Sequence, residues 1–147
     1  MTTHHYRPPQ GFDARFNGMV RWLTDRGLGL AGSATLTVVG RKTGALQRIP
    51  VNPLHLDERE YLVSVRGETQ WVRNARVAGE GSLRRGRRER RVALTELEVP
   101  ARAAVIRAYL DKWGWEVGRF LPEGLATDAT ADQLAEHAVQ IPVFVVS

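Results

Sequence analysis

The first periodic pattern in the chain is helical. Phe12, Phe16, Met19, Val20 and Leu23 recur at steps of three and four residues, which is typical of one face of an amphipathic helix. We therefore expect residues 1–33 to form an N-terminal tail and an amphipathic helix over residues 11–26. Such a helix can cover a sheet or a partner subunit, or rest on an anionic membrane surface, and the pattern leaves these alternatives open.

Three apolar segments with β-strand character follow this helix. They cover residues 34–40, 46–55 and 61–65, and polar turns at residues 41–45 and 57–60 separate them. Connections as short as these are typical of antiparallel hairpins. The pattern therefore predicts three antiparallel strands in this part of the chain.

A short helix is predicted after the third strand. Thr69 is suited to cap its N-terminus, and Trp71 and Asn74, with Val77 or Ala78, are spaced to share one helical face. That spacing leaves open whether Trp71 is a core residue and whether Asn74 caps or bridges the backbone. We expect the helix to end at the glycines that follow it.

The rest of the chain predicts a hairpin over residues 82–99, a helix over residues 101–113, a helix over residues 130–139 and a strand over residues 141–146. Pro100 suits the first turn of the helix that follows it, where no amide donor is needed. About six short, mostly antiparallel strands with three or four helices indicate an α+β domain. We expect one domain over residues 1–147, built on a small barrel, because closing the sheet removes exposed edges.

Composition and charge exclude several classes of function. The 147 residues include no cysteine, which excludes disulfides and thiolate metal sites. Apart from the adjacent pair His4 and His5, the four histidines lack metal-ligand spacing, so we expect no metal site. Nucleophile elbows, Walker loops and Rossmann fingerprints are absent from the sequence, and we name no catalytic residue. Residues 1–10 contain no long apolar run, which favours a cytoplasmic protein.

The net charge of +5 indicates an anionic partner. A candidate binding element is the turn between the first two strands, where Gly40 and Gly44 flank Arg41 and Lys42. The glycines allow close approach of the backbone to a ligand, and the cations suit phosphate. The same residues would also suit an ordinary hairpin with a solvated basic tip.

Five short segments together resemble the deazaflavin-dependent nitroreductase family, whose members are split-barrel oxidoreductases that use coenzyme F420. The resemblance extends from about residue 34 to the C-terminus and depends on the order and spacing of the segments. They are residues 40–44 (GRKTG), 50–53 (PVNP), 64–67 (SVRG), 71–74 (WVRN) and 141–144 (IPVF).

The resemblance implies a split β-barrel that transfers a hydride from reduced coenzyme F420 to an electron-poor small molecule such as a quinone, a nitro compound or an activated alkene. The residues that it implies for the cofactor are Arg41, Lys42, Thr43, Gln47, Arg48, Pro50, Val51, Asn52, Val65, Arg66, Gly67, Trp71 and Asn74. The chain departs from the family pattern by carrying Gln47 where many members have a basic residue. Arg48 comes next, and because successive strand residues face opposite ways, either Gln47 or Arg48 would face the cofactor tail.

The acceptor pocket is a second expectation from this resemblance. Trp113, Trp115 and Phe120 are the candidate pocket residues, although they would serve equally well in an ordinary core. The same region of the best-known members is rich in tyrosine, so this substitution leaves nitroreduction open.

Two other functions remain as alternatives. One is a split-barrel protein that binds FMN or deazaflavin without turnover. The other is a basic module for nucleic acid or an acidic partner, suggested by six arginines around one hairpin; the lack of interleaved aromatic residues argues against it, and we expect no nucleic-acid partner. These arginines are Arg84, Arg85, Arg87, Arg88, Arg90 and Arg91. A homodimer and a peripheral membrane contact through the first helix stay open.

Overall fold

The computed structural model describes residues 33–147, so the helix expected over residues 11–26 lies outside the described residues. The strands are β1 (Ala34–Val39), β2 (Leu46–Val51), β3 (Leu54–Leu56), β4 (Arg59–Val63), β5 (Glu80–Arg85), β6 (Arg88–Glu96) and β7 (Val143–Val146). The α-helices are α1 (Gln70–Ala78), α2 (Arg102–Val117) and α3 (Ala131–His137). Three short 3-10 helices cover Val99–Ala101, Gly118–Phe120 and Ala138–Gln140.

All seven of these strands form one sheet in the order β2-β1-β5-β6-β7-β4-β3. Every neighbouring pair is antiparallel, and the sheet curls into a half-barrel. The predicted α+β class with mostly antiparallel strands is confirmed.

The strand predicted over residues 46–55 is two strands, β2 and β3, and this raises the strand count to seven. Pro50 is tolerated because β2 lies at the edge of the sheet. Pro53 is buried and follows Asn52 in the link between the two strands. Because β2 and β3 lie at opposite ends of the strand order, this two-residue link joins the two edges of the curled sheet.

Several predicted boundaries move in the structure. The helix predicted over residues 101–113 continues through Gly114 to Val117, because the apolar spacing persists beyond Trp113. Pro100 lies in the 3-10 turn that precedes α2. The predicted strand over residues 61–65 is β4, shifted by two residues, and the last strand begins at Val143.

Helix α1 begins and ends as its sequence predicts. The Thr69 hydroxyl accepts a hydrogen bond from the Val72 amide, and Gly79 ends the helix in the left-handed conformation. Ala78 is half-buried whereas Val77 is 70% exposed, so Ala78 completes the inner face. None of the helices within residues 33–147 is long and apolar enough to cross a membrane.

The core lies on both faces of the sheet. Leu36, Leu62 and Phe144 pack with residues of α1 in one cluster, while Tyr61 and Val63 pack with residues of α2 and α3 in a second cluster. Consecutive residues of β4 therefore reach different cores, which explains its continuous apolar run. The two cores fix β4 between α1 and α2, which are the helices that border the cavity described below.

Strand β5 passes so close to β1 that Gly81 leaves no room for a side chain. A Cβ built on Gly81 would lie 2.6 Å from the Thr37 carbonyl oxygen, which is backbone and cannot rotate away. We expect Gly81→Ala to lower the free energy of unfolding by about 1–3 kcal/mol, measured by urea denaturation. Ser82→Ala, at the next position, is the matched control; equal stability of the two variants would contradict this packing.

Candidate functional site

A cavity of about 340 Å³ lies between β2, the segment after β4, the start of α1 and the end of α2. This volume is within the range of small-ligand sites. Its lining residues are Gln47, Ile49, Pro50, Val51, Asn52, Leu62, Val63, Ser64, Val65, Arg66, Thr69, Gln70, Trp71, Tyr109, Glu116, Val117, Arg119 and Phe120. The link between β2 and β3 borders the cavity through Asn52.

Strand β2 presents Gln47 to the cavity and Arg48 to the other face. Gln47 and Ile49 are half-buried and line the cavity, whereas Arg48 is exposed and does not line it. Strand alternation is the physical reason, because neighbouring side chains point to opposite faces. Of the two residues that the sequence left open, Gln47 is the one that faces the cavity.

The basic turn between β1 and β2 is closed by its own backbone. Gly40 donates a hydrogen bond to the Ala45 carbonyl at 2.7 Å, and Gly44 donates to the Gly40 carbonyl at 2.9 Å. Gly44 has a φ of 79°, a conformation that favours glycine. Lys42 and Thr43 are exposed at the tip and lie outside the cavity lining.

Asn74 joins this turn to the cavity rim. Its Oδ1 accepts hydrogen bonds from the Arg41 amide at 3.0 Å and from the Arg41 guanidinium at 2.8 Å. Its Nδ2 donates to Gln47 Oε1 at 2.7 Å. The Arg41 guanidinium also donates to Gln70 Oε1 at 3.0 Å. Asn74 is buried and outside the cavity lining, so it orients the groups that line the rim.

Trp71 forms one apolar wall and also packs on the core. Its ring lies 5.7 Å from the Phe144 ring, at an interplanar angle of 49°. The side chain is half-buried and lines the cavity. Both sequence interpretations of Trp71 therefore describe part of its environment.

The segment after β4 lines the cavity with Val65 and Arg66. Ser64 Oγ donates to the Gly67 carbonyl at 2.8 Å, and Gly67 has a φ of 90°. Gly67 is buried beside the lining residues and turns the chain towards α1. The Arg66 guanidinium lies 3.9 Å from the centre of the Phe120 ring.

Of the three candidate pocket aromatics, Phe120 lines the cavity and the two tryptophans do not. Trp113 is buried in the core, where its indole donates to the Pro53 carbonyl at 3.2 Å. Trp115 is 77% exposed, and its indole donates to the Lys112 carbonyl. Helix α2 continues through both residues, so Trp113 and Trp115 are about 200° apart around its axis. Their ring centres nevertheless lie 6.5 Å apart, and both rings lie outside the cavity lining.

Sequence reasoning missed a polar cluster on the inner wall. Tyr109 and Glu116 are seven residues apart on α2 and line the cavity together. Glu116 Oε2 accepts a hydrogen bond from Asn52 Nδ2 at 3.1 Å. Extending the helical period beyond Trp113 would have placed Glu116 on the face of Tyr109.

Burial changes the proton affinity of both titratable groups in this cluster. Desolvation raises the pKa of Glu116 above its ordinary value, and the hydrogen bond from Asn52 partly opposes this effect. Desolvation likewise raises the pKa of Tyr109, with a hydrogen bond to Asn52 opposing the shift and the Glu116 charge adding to it. The surroundings therefore favour the neutral form of the Tyr109 phenol, and the Glu116 carboxyl keeps its proton to a higher pH than an ordinary glutamate does.

The basic hairpin β5–β6 is partly paired with acids. Glu60 is buried and forms ion pairs with Arg90 and, at 4.0 Å, with Arg85. Arg91 lies 3.3 Å from Glu80. These pairs reduce the positive charge available to a polyanion, and the absence of a nucleic-acid partner stays a prediction. No three metal-ligating side chains lie together among residues 33–147.

Comparison with known proteins supports the fold. No protein-family model and no curated protein matches this chain. A similar solved structure is an F420-H2 dependent reductase, which is 17% identical over 80% of this chain and 95% of that chain, with a TM-score of 0.53. A structure described as a domain-swapped dimer is 18% identical over 94% and 100%, with a TM-score of 0.53. A conserved hypothetical protein from Mycobacterium tuberculosis is 15% identical over 99% and 85%, with a TM-score of 0.51. At these identities the similarity shows a shared fold.

The Asn74 network predicts a measurable loss of order in the basic turn. Asn74→Ala removes the acceptor of the Arg41 amide and the donor to Gln47, and we expect it to cost about 1–3 kcal/mol of stability. Amide exchange followed by NMR should become faster at Arg41. Arg73→Ala, which changes an exposed neighbour on α1, is the control and should change stability by less than about 0.5 kcal/mol. Unchanged Arg41 exchange in Asn74→Ala would rule out this role.

Proposed function

We propose that this protein is a deazaflavin-dependent oxidoreductase, which transfers a hydride from reduced coenzyme F420 to an electron-poor small molecule such as a quinone, a nitro compound or an activated alkene. The observation that carries the proposal is the hydrogen-bonded connection between the basic turn and the cavity. Arg41 and Asn74 place the turn against Gln47 and Gln70 on the cavity rim. The fold shared with an F420-H2 dependent reductase supports it.

The residues of the cavity fit a flat ring with an anionic tail. Ile49, Val51 and Trp71 give its walls apolar surface suited to stacking or edge contact with a ring. Lys42 and Thr43 are exposed in the neighbouring turn and present a cation and a hydroxyl to a phosphate or carboxylate. Arg41 is held by Asn74 and Gln70, so its charge stays beside the rim.

In this proposal the protein positions the reactants and excludes water. When bound, the reduced deazaflavin supplies the hydride, which carries two electrons. The apolar walls exclude water from the ring site, while the turn fixes the tail and so sets the orientation of the ring. Val65 and Arg66, which line the same cavity, would also contact the ring.

Phe120 is the aromatic residue that we retain for the acceptor pocket. Its ring lies 3.9 Å from the Arg66 guanidinium and 4.7 Å from that of Arg119. All three side chains line the cavity. An electron-poor acceptor could stack beside this group, whereas Trp113 and Trp115 have no part in the proposed pocket.

A homodimer stays a prediction, supported by one similar structure being described as a domain-swapped dimer. A cytoplasmic location and a peripheral membrane contact through residues 11–26 also stay predictions.

Titration with coenzyme F420 and, separately, with FMN tests the proposal against its non-catalytic alternative. We expect saturable quenching of intrinsic tryptophan fluorescence by F420, because Trp71 lines the cavity. Oxidation of reduced F420 should then accelerate when a quinone is added. Binding of FMN but not of F420 would favour the flavin-binding alternative, and no saturable signal with F420 would reject the proposal.

Lys42→Ala isolates the contribution of the basic turn. We expect F420 to bind about two- to five-fold more weakly, as for the loss of an exposed charge pair. The remaining affinity should depend less on salt, because one screened interaction has been removed. Lys112→Ala removes the same charge from an exposed position outside the cavity lining. Equal affinities of the two variants would mean that the tail lies elsewhere.

A further inference from the structure

Hydride transfer by itself assigns no role to the polar cluster on the inner wall, which consists of Asn52, Tyr109 and Glu116. Glu116 comes from the end of α2 and Asn52 from the link after β2, and their side chains meet at 3.1 Å across 64 residues of sequence. Tyr109 lines the same wall about two helical turns earlier on α2. The carboxyl of Glu116 is therefore a candidate acid beside the site proposed for the acceptor.

Glu116 is the one acidic residue among the cavity-lining residues of the described chain. The charged and titratable groups that line the cavity with it are Arg66, Arg119 and Tyr109. Arg66 and Arg119 both lie over Phe120, so the cavity also holds positive charge near a ring. Asn52 donates to one carboxylate oxygen, which fixes the rotamer of Glu116 and leaves its other oxygen available to carry a proton.

We propose that Glu116 donates the proton that completes reduction of the acceptor, which would be a quinone or an α,β-unsaturated carbonyl compound. This inference rests on the proposed function and adds the second reactant, the proton, to that function. Such acceptors develop negative charge on oxygen when they receive a hydride. A neutral carboxyl in the same cavity can neutralise that charge as it forms.

The proposed reaction consumes one hydride and one proton for each acceptor molecule. The acceptor gains a hydride, with two electrons, from reduced deazaflavin, and the oxygen that becomes negative takes the proton from the Glu116 carboxyl. The product is a hydroquinone, or an enol that then tautomerises to the saturated carbonyl compound, and the deazaflavin is left oxidised. The Glu116 carboxylate then regains a proton from water, because the side chain is half-buried and retains access to solvent.

Glu116 suits proton donation better than Tyr109. Burial raises the pKa of Glu116, so more of this carboxyl is protonated near neutral pH than of an exposed glutamate. Burial raises the pKa of Tyr109 as well, which makes an already weak acid weaker. Tyr109 lies on the Glu116 face of α2 and lines the same cavity, so its phenol contributes to the surroundings of the carboxyl.

The first test compares Glu116→Gln with the unchanged protein and uses reduced F420 with a naphthoquinone and an unsaturated ketone as acceptors. Glutamine keeps an oxygen for the Asn52 hydrogen bond but cannot donate an acidic proton. We expect kcat to fall about 10²-fold or more. In the unchanged protein kcat/KM should decline as pH rises through the pKa of Glu116, and Glu116→Gln should lose that decline. Glu136→Gln, an exposed change on α3, should retain both rate and pH profile.

The second test needs no cofactor and no turnover. The side-chain carboxyl of Glu116 can be titrated by carbon-detected NMR in ligand-free protein and assigned by its absence in Glu116→Gln. We expect the midpoint to lie above that of an ordinary glutamate, and Tyr109→Phe should shift it while leaving the group titratable. A midpoint at or below the ordinary value would overturn the proposal, because the carboxyl would then be ionised near neutral pH.

The outcomes separate this inference from the proposed function. If unchanged protein fails to bind F420, the proposed function fails and the proton donor fails with it. If unchanged protein binds F420 and reduces an acceptor while Glu116→Gln has the same rate and pH profile, the proton donor alone is rejected. Loss of the pH dependence in Tyr109→Phe but not in Glu116→Gln would assign the proton to Tyr109 and also overturn the proposal.

Discussion

The amide side chain of Asn74 makes the hydrogen bonds on which the candidate site depends. It is buried, and it binds the Arg41 backbone, the Arg41 side chain and Gln47 at the same time. A buried amide left without partners would be costly, so these bonds make the relative position of the turn, β2 and α1 highly specific. The exposed cation Lys42 is placed beside the cavity as a consequence of this internal network.

The link from β2 to β3 provides the second constraint. Residues 52 and 53 connect strands at opposite ends of the sheet order, so the sheet can include both strands only by curling. The Pro53 carbonyl accepts a hydrogen bond from the Trp113 indole, and Asn52 donates to Glu116. Both bonds attach the link to α2, which forms the opposite wall of the cavity. The fold and the cavity therefore share this connection.

The sequence predicted those features that depend on local periodicity and local turn chemistry. The Thr69 cap, the closing glycines of the basic turn and the antiparallel pairing are examples. It failed where distant parts of the chain meet. Glu116 bonds Asn52 across 64 residues, and no local pattern indicates that pair. The early end predicted for helix α2 had a local cause, because the aromatic and glycine residues from Trp113 onward indicate a break in the helix, whereas the helix continues to Val117.

The exposed cation of Lys42 and the half-buried carboxyl of Glu116 differ in their interactions with solvent, which suggests different roles for them within the proposed site. An exposed cation such as Lys42 contributes at most about 1 kcal/mol to a single contact and is screened by salt. Several such contacts can hold a tail while still allowing its release. The half-buried Glu116 carboxyl is different, because desolvation in the cavity disfavours its ionised form. Glu116 is held in that position by Asn52 rather than turned outward to water. A partly desolvated carboxyl kept in the cavity by a specific hydrogen bond fits the proton donation proposed for it.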